Sequence, residues 1–353
     1  MRPLEGSFVL DFSTLLPGPL ATLLLAEAGA EVIKIERPRG EDLRSWEPRW
    51  GTDSVHFALL NRGKKSLFLD LKQPGDREQL APLLARADIL VEQFRPGVMA
   101  RLGLGYDDVA RMNPRIVYCS ITGYGQHGPK SGVAGHDLNY IADTGLLALS
   151  MGSPSHPVIP PALIADIAGG SYPAVINILL ALRERDRTGR GRHLDVSMTD
   201  NLFTFMYWAI GNGMAADEWP SNGNALLTGG SPRYRLYPTS DGKMLAVGAL
   251  EQKFWDAICE MANLEAHLRD DSIDPAATAS RLAELVASET AETWAIRTAG
   301  RDCCCSIVTS LEEAMRDPHF AARGLFRQQI ADGRGRVIPA LPVPLDPAFR
   351  APS

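Results

Sequence analysis

Short apolar runs of strand length, interleaved with runs of helical character, constrain the fold of this chain more than any other feature. "SFVLDFS", "EVIKIER", "SLFLDL", "DILVEQF" and "RIVYCSITG" read as strands, while "PLATLLLAEAGA", "DREQLAPLLARA" and "YDDVARMN" read as helices. Strands separated by helices pair in parallel through crossovers, and the helices cover both faces of the sheet. The expected fold class is therefore α/β, an open parallel Rossmann-like sheet in a large domain. The first strand–helix turn, "LLPGPLA", has one glycine between prolines rather than GxGxxG, which argues against a nicotinamide or flavin site.

Further along, the pattern changes. "ADIAGGSYPAVINILLALRER" predicts a long apolar helix loosened by Gly169, Gly170 and Pro173, and "GRGRHLDVSM" a turn and strand. "DNLFTFMYWAIGNGMAA" predicts a helix rich in Met and aromatic residues. "RYRLYPTSDGKMLAVGAL" has the form of a hairpin turning at Asp241-Gly242, and "QKFWDAICEMANL" of a helix after it. These patterns divide the chain into a large domain of residues 1–195 and 318–353, a linker at 196–226 and a smaller α+β domain at 227–317. The tail from Ala331, rich in Pro, Gly and Arg, is expected to wrap over a surface.

Charge and cysteine usage exclude several functions. A formal net charge of −6 leaves no basic excess for nucleic acid. The five cysteines show no CxxC pair or metal-ligand spacing, so no metal is expected, and reduced thiols fit a cytoplasmic location. The run "LLPGPLATLLLAEAGAEV" is broken by Pro17, Gly18, Pro19 and Glu27, which argues against a membrane span there.

The candidate chemistry centres on "AGHDLNYIADTG" and "IADIAGG", which bring His136 and Asp166 to glycine-rich segments where backbone can approach a ligand. A neutral imidazole and a carboxylate on either side of one carbon could pass a proton in and out. On residues alone, a structural His–Asp pair remains the competing reading. Arg37, Lys72, Arg95 and Arg101 recur near strand ends, where open parallel sheets bind ligands and guanidinium groups suit phosphates. Surface charge is the alternative for each. Met198, Met206 and Met214 are expected to pack a core or line an acyl pocket.

Several blocks carry a resemblance: "LLPGPLATLLLAEAGAEVIKIERPRGEDLR", "NRGKKSLFLDLK", "FRPGVMARLGLGYDDVARMNPRIVYCSITGYGQHGP" and "RTGRGRHLDVSM". From about Leu4 to Gly324 the chain resembles the family III CoA-transferases. Within them it is most similar to the alpha-methylacyl-CoA racemase branch, because of the histidine in "GHDLNY", the "GALE" block ending at Glu251 and the chain's length. The resemblance implies an acyl-CoA substrate held by the large domain, no cofactor beyond its CoA moiety, and an interlocked homodimer. It implies that His136 and Asp166 are the acid/base residues and that Glu251 holds and polarises His136. CoA contacts are implied for Arg37, for Leu69, Asp70, Leu71 and Lys72, and for Gln93, Phe94, Arg95 and Arg101. The loop residues Gly135, Asp137, Leu138, Asn139 and Tyr140 complete that set. Racemases usually carry an asparagine where this chain has Ala162. A CoA-transferase that uses Asp166 as nucleophile, and a non-catalytic CoA-binding protein, are the alternatives.

Overall fold

The computed structural model describes residues 2–350. Its main sheet has six parallel strands: β1 (Phe8–Asp11), β2 (Glu31–Glu36), β3 (Lys65–Phe68), β4 (Ile89–Glu92), β5 (Val117–Thr122) and β6 (Arg192–Ser197). They lie in the order β3-β2-β1-β4-β5-β6, with Val9 paired to Val32 on one side and to Ile89 on the other. This is the doubly wound order, and the direction of winding reverses between β1 and β4. β1, β4 and β5 are buried at every position, as strands covered on both faces must be.

The helices explain why their sequences look as they do. Every residue of α1 (Pro17–Glu27) is buried, so its apolar residues run together around the helix and do not form a stripe. A short helix, α2 (Val55–Asn61), joins β2 to β3. On one face of the sheet, α3 (Pro74–Arg86) and α4 (Tyr106–Met112) close a core of Phe8, Leu10, Leu80, Leu84, Leu90 and Val109. Beyond β5 come α5 (Asp137–Asp143) and α6 (Tyr172–Thr188), the latter entered through a π-helical turn, Ala165–Ser171. The run Ala165–Thr188 is long and apolar enough to cross a membrane by length and composition, but α6 packs on β5 and β6 and is half-buried.

Two compact units emerge. One contains the described residues through Thr144, residues 162–205, and those from Pro318 onward; the other is Gly145–Pro161 with Met206–Asp317. The segment expected as a linker is therefore divided between the units, and residues 145–161 join the smaller one. The Asn222 amide ties them there, donating to the carbonyls of Leu147 at 2.9 Å and Ser150 at 3.0 Å. The expected Met-rich helix is three pieces: α7 (Met198–Leu202), a 3-10 stretch (Phe203–Met206) and α8 (Tyr207–Ala216). It changes pitch where the chain passes from one unit to the other.

The smaller unit is α+β, as expected. β7 (Tyr234–Pro238) and β8 (Met244–Gly248) form the hairpin, Pro238 opposite Met244, and β9 (Cys305–Ile307) adds to it. Gly242 supplies the positive φ of +78° that its turn requires. Trp255 of α9 (Gln252–Met261) and Trp294 of α11 (Ala291–Thr298) are fully buried with Leu282 of α10 (Pro275–Ala287). The tail packs on the large unit: Gln328 donates to Glu27 at 3.1 Å and Arg62 to the Leu341 carbonyl at 2.8 Å.

Candidate active site

At the carboxyl edge of the sheet, where its winding reverses, the large unit opens a cleft of about 500 Å³. Leu15 and Pro17 line it after β1, Gln93 to Pro96 after β4, and Ile121 to Tyr124 at the end of β5 and just beyond it. The loop through Ser131 and Val133, the start of α5, Asp166 and Met198 complete the lining. His136 and Asp166 thus share one cavity at the switch point of a doubly wound sheet.

The polar segment before α5 divides its labour. His136 is the exposed N-cap: its carbonyl accepts the Asn139 N–H at 2.9 Å and its own N–H donates to Asn139 Oδ1 at 3.0 Å. The backbone is fixed in this way and the imidazole is left facing the cleft. Tyr140 donates its hydroxyl to the Gly135 carbonyl at 2.6 Å. Its ring fills the space beside two glycines, where a Cβ on Gly123 or Gly135 would lie 2.4 or 2.7 Å from it. Asp137 is buried and turns away to accept the Asp166 N–H at 3.0 Å, with the amides of Ala165 and Ile164 also bonding to it. It acts as a cap, supplied from α5, for the segment that carries Asp166.

That segment is the π-helical turn, and its looseness has a visible cause. A Cβ on Gly169 would lie 2.5 Å from the Met198 carbonyl oxygen, and one on Gly170 would be 3.1 Å from Met198 Sδ and 3.2 Å from Pro17. The turn passes too close to α1 and α7 for side chains there. Asn201 donates to the Gly169 carbonyl at 2.7 Å, and Ser171 to the carbonyls of Asp166 at 3.1 Å and Pro17 at 2.8 Å. Such single-turn expansions recur at functional sites.

Burial pushes the Asp166 carboxyl up to about 6, and the like charge of Asp137 adds to the rise, while His136 opposes it. Asp137 is itself raised by burial, against the three amides bonded to it. Asp166 is thereby brought into the range where an imidazole ordinarily titrates, about 6.5. A carboxyl raised this far can both take up and release a proton near neutrality.

The remaining expected residues separate into distinct positions. Gln93, Phe94, Arg95, Gly135, Asn139 and Tyr140 line the same cleft. Gln93 also bridges the β1–α1 turn, donating to the Thr14 carbonyl at 2.6 Å and accepting from Gly18 at 3.0 Å. Leu138 is exposed on α5 and outside the lining. Beyond β2, Arg37 bonds the Gly40 carbonyl at 2.7 Å and pairs with Asp42. Beyond β3, Leu69 is buried, Leu71 packs on the core, Asp70 accepts the Lys72 N–H at 3.1 Å and Lys72 is exposed. Arg101 lines a separate hollow with Arg77 and Leu104. All lie on segments that follow the carboxyl ends of β2, β3 and β4, Arg101 at the end of a short helix, Val98–Arg101. Glu251 belongs to the smaller unit, exposed at the N-cap of α9, its carbonyl accepting from Phe254 at 3.0 Å and Trp255 at 3.1 Å.

Of the methionines, Met198 lines the cleft, Met206 is buried and Met214 is exposed. Sequence reading missed Leu15, which holds a positive φ of 61° with its N–H donated to Glu41 at 2.7 Å. No local signal marks a leucine for that conformation, since the partner that enforces it lies far along the chain. It also missed Tyr124, whose hydroxyl donates to Asp143 at 2.8 Å and fixes the cleft's outer wall.

Known proteins with this architecture carry related names. A family model described as CoA-transferase family III matches residues 4–350. The alpha-methylacyl-CoA racemase of Homo sapiens is 34% identical over 327 residues, 92% of this chain and 82% of its own. The succinyl-CoA:glutarate CoA-transferase of Mus musculus is 36% identical over 270 residues, 75% of this chain and 60% of its own. The crystal structure of Rv3272 from Mycobacterium tuberculosis superimposes with a TM-score of 0.83 at 29% identity, over 99% of this chain and 94% of that one.

Proposed function

Because the chain belongs to CoA-transferase family III, we propose that it is a racemase of 2-methyl-branched acyl-CoA thioesters. The observation that carries this reading is the sharing of one cleft by His136 and an Asp166 raised to about 6. One of the two removes the hydrogen on the carbon next to the thioester carbonyl, and the electron pair passes into an enolate. The other returns a proton to the opposite face, inverting the centre. The enolate oxygen needs stabilisation. The N–H group of Gly135, which lines the cleft and has no partner among the described residues, is the donor we assign to it. Glu251 is proposed as a third catalytic residue, and no cofactor beyond the CoA moiety is invoked.

CoA itself is proposed to lie along the segments after β2, β3 and β4, which carry Arg37, Lys72, Arg95 and Arg101. A homodimer is part of the proposal, supported by Tyr172, Ile176, Leu179 and Leu180, which form an exposed apolar face on α6. Five free cysteines support a cytoplasmic setting.

The test is incubation of one enantiomer of a 2-methylacyl-CoA in deuterated water. Deuterium at the α-carbon together with the inverted product supports the racemase. The second reading, a CoA-transferase, is favoured by the identity to a named transferase. There Asp166 attacks the thioester carbonyl, expels the CoA thiolate and forms a mixed anhydride. No exchange, with CoA passing to a free carboxylate and hydroxylamine capturing Asp166, selects that reading. CoA binding with neither reaction would mark a non-catalytic protein.

A further inference from the structure

A second cavity, of about 610 Å³, lies on the other side of Arg95 and Pro96, which line both it and the cleft. Its floor contains Glu92, the last residue of β4, 4% exposed. One Glu92 oxygen accepts the Phe94 N–H at 2.8 Å. The Ser120 hydroxyl hydrogen-bonds the same carboxylate and lies 2.9 Å from His193 Nε2. His193 is stacked on Tyr106, ring centroids 5.2 Å apart, and meets the edge of Tyr118 at 5.3 Å. A continuous chain of bonds thus runs from β6 through β5 to the turn that walls the cleft. Nothing in the proposed chemistry uses it.

We propose that Glu92 is a positioning residue for the acyl-CoA cleft: it clamps the Gln93–Arg95 turn through the Phe94 N–H and is itself held by Ser120, which His193 bonds in turn. This rests on the reading of the cleft as a CoA site. The turn has a second anchor, the Gln93 bridge to Thr14 and Gly18, so Glu92 fixes its outer half. A carboxylate acceptor makes a charge-assisted bond to that amide, whereas a neutral carboxyl makes an ordinary one. The clamp is therefore tighter when Glu92 is ionised.

The surrounding charges fix the pH at which it tightens. Burial pushes the Glu92 carboxyl up to about 7, the Ser120 and Phe94 bonds oppose that rise, and Asp195 on β6 adds to it. His193 is lowered by burial, with Asp195 and Asp107 raising it and His127 lowering it. Arg95, Asp108 and Arg111 complete the charged lining of the cavity, and the buried Tyr118 and Cys119 of β5 feel the Glu92 charge and stay protonated. Glu92 therefore gains its charge, and the turn its firmest hold, as pH rises through about 7.

Glu92→Gln tests this, because the amide oxygen can still accept the Phe94 N–H but carries no charge at any pH. Free CoA affinity is measured for both proteins between pH 6 and pH 8. The ratio of dissociation constants, variant over wild type, is expected near one at pH 6 and about fivefold at pH 8. Hydrogen exchange of the Phe94 amide, read in the absence of ligand, is expected to slow with rising pH relative to the variant. A constant ratio together with identical amide protection overturns the proposal. A wild-type protein that binds no CoA overturns the functional reading instead, and the amide exchange still reports on the clamp.

Discussion

Asp137 accepts the backbone N–H of Asp166 at 3.0 Å, so one carboxylate caps the segment that carries the other. Its negative charge also adds to the burial that raises Asp166. Position and proton affinity are thus coupled through a single side chain. Asp137→Asn separates them, since an amide oxygen still accepts the N–H but the like charge is gone. The acidic limb of the pH–rate profile is expected to move down by about one unit. It should stop short of an ordinary aspartate, because burial is the larger cause and persists. An unmoved limb in an otherwise folded variant would show that Asp137 acts only as a cap.

Asp166 should be held at a cost to stability. Its carboxyl rises from 3.8 to about 6 on folding, so between those values the folded protein binds more protons than the unfolded chain. Stability attributable to this group therefore falls as pH rises through that window, and the whole penalty is present above about 6. Asp166→Asn is expected to match wild type near pH 4 and to be more stable at pH 7.5, by at most about 3 kcal/mol. Urea midpoints at the two pH values measure the difference. Activity should vanish in the same variant, the stability–function trade-off common to active sites.

The glycines of the π-helical turn provide a steric prediction. A methyl group on Gly169 would meet the Met198 carbonyl at 2.5 Å, a backbone atom that cannot rotate away. Gly169→Ala should destabilise by about 1–3 kcal/mol and, by displacing Asp166, lower turnover more than CoA affinity. Gly75→Ala is the control, since a Cβ at Gly75 meets nothing within 4 Å. That variant should lie within about 0.5 kcal/mol of wild type.

The doubly wound sheet was legible because its strands and helices have different apolar periods, and the long helix because Gly169, Gly170 and Pro173 visibly weaken it. That the weakness takes the form of a π turn follows from the closeness of Met198 and Pro17, which no local pattern encodes. His136 and Asp166 could be named from their glycine-rich settings, but the buried role of Asp137 could not. Its partners, residues 164–166, lie far along the chain. Glu92 and Glu41 were invisible for the same reason: a strand-end or loop carboxylate looks solvated until its distant partners are known. The unit boundary at residues 145–161 likewise depends on Asn222.

The adjacent Lys64 and Lys65 give the sharpest contrast between like residues. Lys64 Nζ is buried and bonds Asp11 at 3.1 Å, the Pro19 carbonyl at 2.9 Å, Thr22 at 2.8 Å and Asn61 at 2.9 Å. Lys65 is exposed and pairs with Glu31 at 3.0 Å. Asp11 is fully buried, and after loss of Lys64 it would retain Ser13, Thr22 and the nearby charge of Lys34. Breaking one side of a buried pair leaves an undercompensated charge, so Lys64→Met should destabilise by about 3–5 kcal/mol. Lys65→Met removes an exposed pair and should change stability by less than about 1 kcal/mol. Because the Asp11 network also anchors Ser13, at the head of the turn that leads to Leu15 and Pro17, Lys64→Met should weaken CoA binding as well, whereas Lys65→Met should leave it unchanged. Equal losses at the two positions, read from denaturant midpoints, would mean that the buried charges contribute no more than surface ones and that the turn is held by packing alone.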